Sequence, residues 1–384
     1  MTRTRPVAPG TLPRDMSDRY QDLLADVDLA DFPGTMQKTA RRMDQWILDY
    51  LDYTTPAGDD LPLAGLFSHV SRFNARVTSR IIRDAITTLE TREHLTPPLP
   101  FCWISMGSDA RGEQVIRTDQ DNALIYADPP PGQSKTADTY FNALAGLVTQ
   151  GLDRFGFTFC PGNVMATNPE WRRPLNLWLA GLDQWVGSTD PMAVRKLTIL
   201  LDFKAVFGDN RLAAMLQTRV FKNFETHGSA SHFLARDDQL FAPPKTWFNR
   251  IRTRRNGQCR RCFNLKTQAV AHLVNAARLF AVNHGIQVPA TLGRLERLWE
   301  DRVITGQEYR EISRAFVFLT RMKLTAHLTR AQTGPESTLP NNCIDISRLA
   351  PEPLKQLGHA LDAVTRFQKK AATTYNQAWM NFFN

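Results

Sequence analysis

From about Tyr20 to Glu93 the chain repeats apolar residues every three to four positions, as in MQKTARRMDQWILDYLDY and HVSRFNARVTSRIIRDAITTLE, with a Pro/Gly-bearing break around Pro56 to Pro62. That spacing predicts a helical N-terminal region over residues 1–97. The prolines of REHLTPPLPF cannot continue a helix and set a boundary near Pro97 to Pro100. Beyond it the pattern changes. FCWISMG and NALIYAD are short apolar runs that predict buried strands, a helical pattern runs from about Thr136 to Phe155, and FGFTFCPGNVMA predicts a third strand or a strand pair. Strand, turn, strand, helix, strand within about seventy residues makes a small α/β sheet, placed here at 98–190.

From Trp171 onward helical stripes dominate: PLNLWLAGLDQWV, PMAVRKLTILLDFKAVF, NRLAAMLQTRVFKNF, AVAHLVNAARLFAVNHG, EYREISRAFVFLTRMKLTAHLTRAQ and PLKQLGHALDAVTRFQKKAATTYNQAW. Residues 191–384 are therefore expected to form an antiparallel helical bundle. One insertion interrupts it, since WFNRIRTRRNGQCRRCFNL places Asn256-Gly257 between two strand-like segments, a strong hairpin signal. The fold class that follows is α+β: a small mixed sheet flanked by an N-terminal helical region and a C-terminal helical bundle.

Composition narrows the function classes. At 384 residues the chain exceeds what one hydrophobic core usually spans, and 42% hydrophobic with 22% charged residues excludes a disordered or fibrous chain. The net charge of +9 suits an anionic partner such as a nucleotide or nucleic acid. The basic residues are nevertheless dispersed and interrupted by acids such as Asp237-Asp238 and Glu308 to Glu311, which argues against a nucleic-acid arm or recognition helix. Five scattered cysteines (Cys102, Cys160, Cys259, Cys262, Cys343) read as reduced thiols. The basic N-terminus lacks an apolar core for a secretory signal, and no run approaches the roughly twenty apolar residues of a membrane helix. The expectation is a soluble cytoplasmic protein without a membrane partner.

The chemistry concentrates in WISMGSDARGEQVIRTDQDNALIYAD. A strand ends at Gly107-Ser108, where a residue without a side chain lets backbone N–H groups and a hydroxyl approach a phosphate, and the following helix adds its N-terminal dipole. Asp119 and Asp121 lie two apart in extended chain, so they project to one face toward that turn. Two carboxylates beside a phosphate cradle call for a divalent cation, and Mg²⁺ takes such oxygen ligands. Arg111 is placed to steady a triphosphate, and Glu113 to make either a site contact or a structural one.

Gly-Ser, a spacer of about ten residues and Asp-x-Asp on an apolar strand together resemble the signature of the polymerase β-like nucleotidyltransferases. The fuller string GSDARGEQVIRTDQDNALIY resembles the GlnD-related nucleotidyltransferases, and SRFNARVTSRIIRDAI, CPGNVMATNPEWR, LDFKAVFGD and NLKTQAVAHLVNAARLFAVNHGIQVPATLGRLERL are similar to successive blocks of that group and its helical substrate-binding domain. The resemblance spans roughly residues 20–380 and leaves no room for a sensor module of the kind often attached, which implies a stand-alone catalytic version. It implies transfer of a nucleoside monophosphate from an NTP (UTP or ATP) to a hydroxyl, with a PII-like regulatory protein as the suggested acceptor. Asp119 and Asp121 would be catalytic and metal-binding, and Gly107, Ser108, Arg111, Glu113, Asn163 and Lys266 nucleotide-binding. The superfamily often carries a third acid on a neighbouring strand, but FTFCPGNVMATN has none. Asn163 then occupies that place as a neutral ligand, or the acceptor base comes from elsewhere, Asp128 lying too far along. The alternative is a catalytically silent nucleotide sensor.

Outside that segment, Cys259-x-x-Cys262 lacks a second ligand pair at zinc spacing. Arg250, Arg252, Arg254, Arg255, Arg260 and Arg261 surround it, either lining a phosphate-binding face or forming a charged edge that deters aggregation. Asp202, Lys204, Asp209, Lys266 and Arg278 match the resembled helical blocks and either face the nucleotide or form helix-packing ion pairs. The histidines form no triad, and the HD-type hydrolase motif of full-length GlnD is missing.

Overall fold

A computed structural model describes residues 12–29, 31–54, 63–239, 244–245, 250–256, 259–333 and 342–381. The chain order is α1 (Arg14–Asp28), α2 (Phe32–Thr54), α3 (Leu63–Arg92), β1 (Phe101–Met106), a single turn α4 (Gly107–Ala110), β2 (Asn122–Tyr126), α5 (Ser134–Phe155), β3 (Arg172–Pro174), α6 (Leu175–Val186), α7 (Pro191–Leu200) and β4 (Phe203–Gly208). It continues through α8 (Asn210–Thr226), α9 (Gly228–Gln239), β5 (Arg254–Asn256), β6 (Cys259–Asn264), α10 (Ala271–Asn283), α11 (Thr291–Glu300), α12 (Gly306–Thr333), β7 (Cys343–Asp345) and α13 (Pro351–Asn381). Two compact units result. The first holds residues 1–178 and 203–214, and the second residues 179–202 and 215–384.

In the first unit a mixed four-stranded sheet has the order β3-β2-β1-β4. β1 pairs antiparallel with β2 and with β4, while β2 and β3 run parallel. All six residues of β1 and all five of β2 are buried, because apolar residues stand on both faces of a sheet that is covered on both. α3 buries Leu66, Val70, Phe73, Val77, Ile81 and Leu89, a stripe at helical spacing that packs on α5. Gly156, at φ +114°, ends α5. Gly208 closes the β1–β4 edge at φ +94°; a Cβ there would stand 2.1 Å from the Phe101 carbonyl oxygen, so only glycine fits.

Two expectations are corrected here. LDFKAVF continues the apolar rhythm of the preceding helix, yet only Pro191–Leu200 is helical. Asp190 caps that helix by accepting from the Ala193 N–H at 2.9 Å, and Phe203–Gly208 is strand β4. Tertiary pairing with β1 overrides the local pattern. FGFTFCPGNVMA forms neither strand nor strand pair but a loop tied down by one bridge, Asp119 to Thr158.

In the second unit α9, α10 and α12 pack on α13, α10 also meets α9 and α11, and α7 meets α9. Asp202 is fully buried at the end of α7, where Arg278 reaches it at 2.5 and 3.0 Å and Arg294 at 2.7 Å. A second buried knot joins Asp238 to His272, Asn275 and Gln368 at 2.7–3.2 Å. A small three-stranded sheet, β5-β6-β7, sits in the same unit. Its flanking strands match the expected hairpin, whose Gly257 lies outside the described residues, as do the Pro56 to Pro62 break and residues 1–11.

Cys259 and Cys262, expected as free thiols, are joined by a disulfide. A register shift in the β5–β6 pair brings their Cα atoms to 5.5 Å, within bridging reach. Arg260 and Arg261 are consecutive and both exposed, so side chains do not alternate strictly between buried and exposed along this arm. The Asp345 carboxylate is held below the usual range by the Ser347 side chain and by the Arg260 and Arg261 backbone N–H groups. No described helix is long and apolar enough to cross a membrane.

Candidate active site

The site is built at the end of β1, where the chain must turn sharply. Met106 is extended, and Gly107 follows at φ +62°. The Arg111 N–H bonds back to the Gly107 carbonyl at 3.2 Å and the Glu113 N–H to the Ser108 carbonyl at 2.8 Å. The expected helix is only the four-residue α4, so the turn offers backbone N–H groups without a developed helix dipole. Lys204 on β4 secures it from the side: its Nζ donates to the Asp109 carbonyl at 2.7 Å and to the Ser71 Oγ at 3.0 Å.

The segment leading into β2 alternates in function as well as in direction. Gln120 and Asn122 are buried. Gln120 donates to the Thr149 and Phe157 carbonyls at 3.1 Å each, and Asn122 donates to Gln120 Oε1 at 3.0 Å while accepting from the Ala166 N–H at 2.9 Å. Backbone bonds from Met106 N–H to the Asp121 carbonyl and from Gln120 N–H to the Thr158 carbonyl, both 2.9 Å, hold the segment extended. With the even positions anchored inward, Asp119 and Asp121 face the other side, half-buried. Asp121 Oδ2 lies 2.9 Å from where a Gly107 Cβ would stand, so its carboxylate covers the glycine turn.

Cys160 completes the cluster. One ligand atom from each of Asp119, Asp121 and Cys160 lies within 4.8 Å of the others. Among the described residues no third carboxylate joins this group. Burial first, and then the neighbouring Asp121 charge, push the Cys160 thiol up to about 11, so that it stays protonated and hydrogen-bonds the Asp121 carboxylate. The sequence pattern offered Asn163 or a base from elsewhere for the third position; the signal for Cys160 was a sulfur in the loop that bridges back to Asp119.

The other expected positions fall as follows. Ser108 is half-buried on the turn. Arg111 Nε donates to Glu113 Oε2 at 2.7 Å, and Glu113 is buried, so the two brace each other below the turn. Asn163 is exposed in left-handed backbone at φ +55°, three residues past Cys160, whose carbonyl accepts its N–H at 2.9 Å. Asp128 caps α6 by accepting from the Asn176 N–H at 2.8 Å. Asp209 binds the N–H and guanidinium of Arg211. Lys266 belongs to the second unit and is exposed, while Asp202 and Arg278 are taken up in the buried ion pairs of that unit. A small cavity lined by Thr198, Asp238, Asn275, Arg278 and Gln368 also lies in the second unit.

Two half-buried carboxylates and a thiol beside a glycine turn form a group whose ligand atoms could hold a metal ion. The family DUF294, described as "putative nucleotidyltransferase", matches residues 58–192, and its companion, described as "putative nucleotidyltransferase substrate binding domain", matches residues 229–375. No curated protein matches the chain. With the nucleotidyltransferase match followed along the chain by the substrate-binding match, the chain belongs to the DUF294 nucleotidyltransferase family.

Proposed function

We propose that the chain transfers a nucleoside monophosphate from an NTP to a hydroxyl acceptor and releases pyrophosphate. The observation that carries this reading is the convergence of Asp119 and Asp121, with the Asp121 carboxylate against the Gly107 turn. The donor set fits a divalent cation, with Mg²⁺ as the ion of the working reaction. Bound there, it would neutralise charge on the transferring phosphoryl group and help ionise the acceptor oxygen. The chain's own residues do the rest. Asp119 and Asp121 hold the ion, Gly107 and Ser108 present backbone N–H groups to the leaving phosphates, and the Arg111–Glu113 and Lys204–Asp109 pairs keep that turn in place. Resemblance to the GlnD group points to UTP as donor, with ATP as the alternative, and to a PII-like regulatory protein as acceptor. The setting is the cytoplasm.

A second reading has a specific observation in its favour: Cys160 and not a carboxylate stands third at the cluster, which suits a nucleotide sensor that binds without transferring. Incubation with each α-labelled NTP, Mg²⁺ and cell lysate separates the two. Label carried onto a macromolecule and lost in Asp121→Asn establishes transfer. Mg²⁺-dependent NTP binding without any labelled product establishes the sensor.

A further inference from the structure

The cation site has an unusual third member. Cys160 is not a chance neighbour, because its loop is fixed to the Asp119 segment. Thr158, two residues earlier, accepts the Gln120 N–H at 2.9 Å and donates its own to the Thr118 carbonyl at 3.1 Å. Cys160 itself is held on both sides, its N–H meeting Met165 Sδ at 3.4 Å and its carbonyl accepting from Asn163 at 2.9 Å. The thiol is thereby kept among the two carboxylates, with all three donor atoms within 4.8 Å of one another. Donors sharing one tetrahedral ion at Zn–O and Zn–S bond lengths would stand roughly 3.5 Å apart. Closing the set around an ion needs side-chain adjustments of about 1 Å.

Mg²⁺ binds oxygen and gains nothing from sulfur, whereas borderline ions accept mixed oxygen and sulfur donors. Resting on the nucleotidyltransferase reading for the place of the ion, we propose that Cys160 is the third ligand of the cation site, so that a borderline divalent cation such as Zn²⁺ or Co²⁺ outcompetes Mg²⁺ there. As the sulfur–metal bond forms, the thiol proton is released to solvent and no electron is transferred. The site thereby gains a metal preference that two carboxylates alone would not give, and Zn²⁺ becomes a competitor of the Mg²⁺-dependent reaction.

The test uses the full chain, stripped of metal with a chelator and titrated with Co²⁺ alone. The expected result is a thiolate-to-cobalt charge-transfer absorption in the near ultraviolet. It should be lost in Cys160→Ser and Cys160→Ala, with Co²⁺ affinity lowered by about tenfold or more. In competition, Zn²⁺ should displace Mg²⁺ at least about tenfold more readily from the wild type than from Cys160→Ser. The wild-type spectrum decides the matter even if a variant fails to fold: Co²⁺ bound without a thiolate band overturns the proposal, as do equal Co²⁺ affinities in wild type and Cys160→Ser. Mg²⁺-dependent transfer is assayed on the same preparation. Transfer without the thiolate band removes the Cys160 ligand and leaves the enzyme; the band without transfer removes the enzyme and leaves the ligand.

Discussion

Asp202, at the end of α7, is shut away from water, and two guanidinium groups, from Arg278 and Arg294, close on its two oxygens at 2.5–3.0 Å. Asp119 and Asp121, ahead of β2, are treated in the opposite way. They stay half-buried and side by side, accompanied by a thiol. In the first arrangement each negative charge is answered within the second unit, and the result is packing. In the second, two carboxylates lie close together beside a glycine turn, and on the reading proposed above a cation would offset their repulsion. The contrast separates a carboxylate that holds helices together from a pair that the proposed reading assigns to a ligand, although all three are the same residue type.

The comparison breaks if the two kinds of carboxylate respond alike to neutralisation. Asp202→Asn leaves two buried guanidinium charges without their partner and should cost about 3–5 kcal/mol of stability, measured by denaturant unfolding followed with a probe in the second unit. A loss below about 1 kcal/mol would mean that the triad does not carry the packing. Asp119→Asn should do the reverse. Transfer activity falls by about 10³-fold, equivalent to about 4 kcal/mol, while the melting temperature stays level or rises as like-charge repulsion is relieved. Retained activity would remove Asp119 from the site.

Smaller effects sharpen the picture. Lys204→Ala releases the turn from β4 and should lower kcat/KM by up to about 10²-fold, the scale of a misplacement near 1 Å, with little change in the fold; unchanged kinetics would make Lys204 a bystander. Gly107→Ala forces a Cβ into left-handed backbone and against Asp121, and should cost about 1–2 kcal/mol together with metal affinity, read by unfolding and by Co²⁺ titration. The last effect concerns pH. Burial raises Cys102, Tyr20 and Tyr140 to about 12, from ordinary values of 9.0 for the thiol and 10.0 for the phenols. The folded first unit therefore keeps protons that the unfolded chain gives up, and stability present below pH 9 declines as pH climbs toward 12. A flat melting temperature over that window would place these groups in water.

How much of this was legible from sequence depended on whether the signal was local. The turn after FCWISM and the paired acids before NALIY were readable because strand, glycine and alternation all occur within a few residues. β4 was not, since LDFKAVF continues the rhythm of α7 and becomes a strand only through pairing with β1, about one hundred residues earlier in the chain. The burial of Asp202 was equally hidden. Its partners, Arg278 and Arg294, come from helices far along the chain, and an acid in an apolar run reads the same whether it meets solvent, substrate or arginine. Cys160 was invisible for a different reason: its loop has no regular structure, and only long-range bonds, among them the Thr158 bridge and the Gln120 and Asn122 contacts, set it beside Asp119.

The late position of β4 also has a consequence for synthesis. β1 and β2 leave the ribosome early, but β4, which covers the other edge of β1, follows β2 by about eighty residues. At ~5–20 residues per second that interval lasts roughly 4–16 s. Until then β1 presents an open row of backbone donors and acceptors, the kind of edge that invites pairing with another nascent chain. A fragment that stops at residue 192, where the first family match ends, would keep that edge open permanently. Expressed alone, it is expected to aggregate or to need a chaperone, whereas extension through residue 214 restores the missing strand.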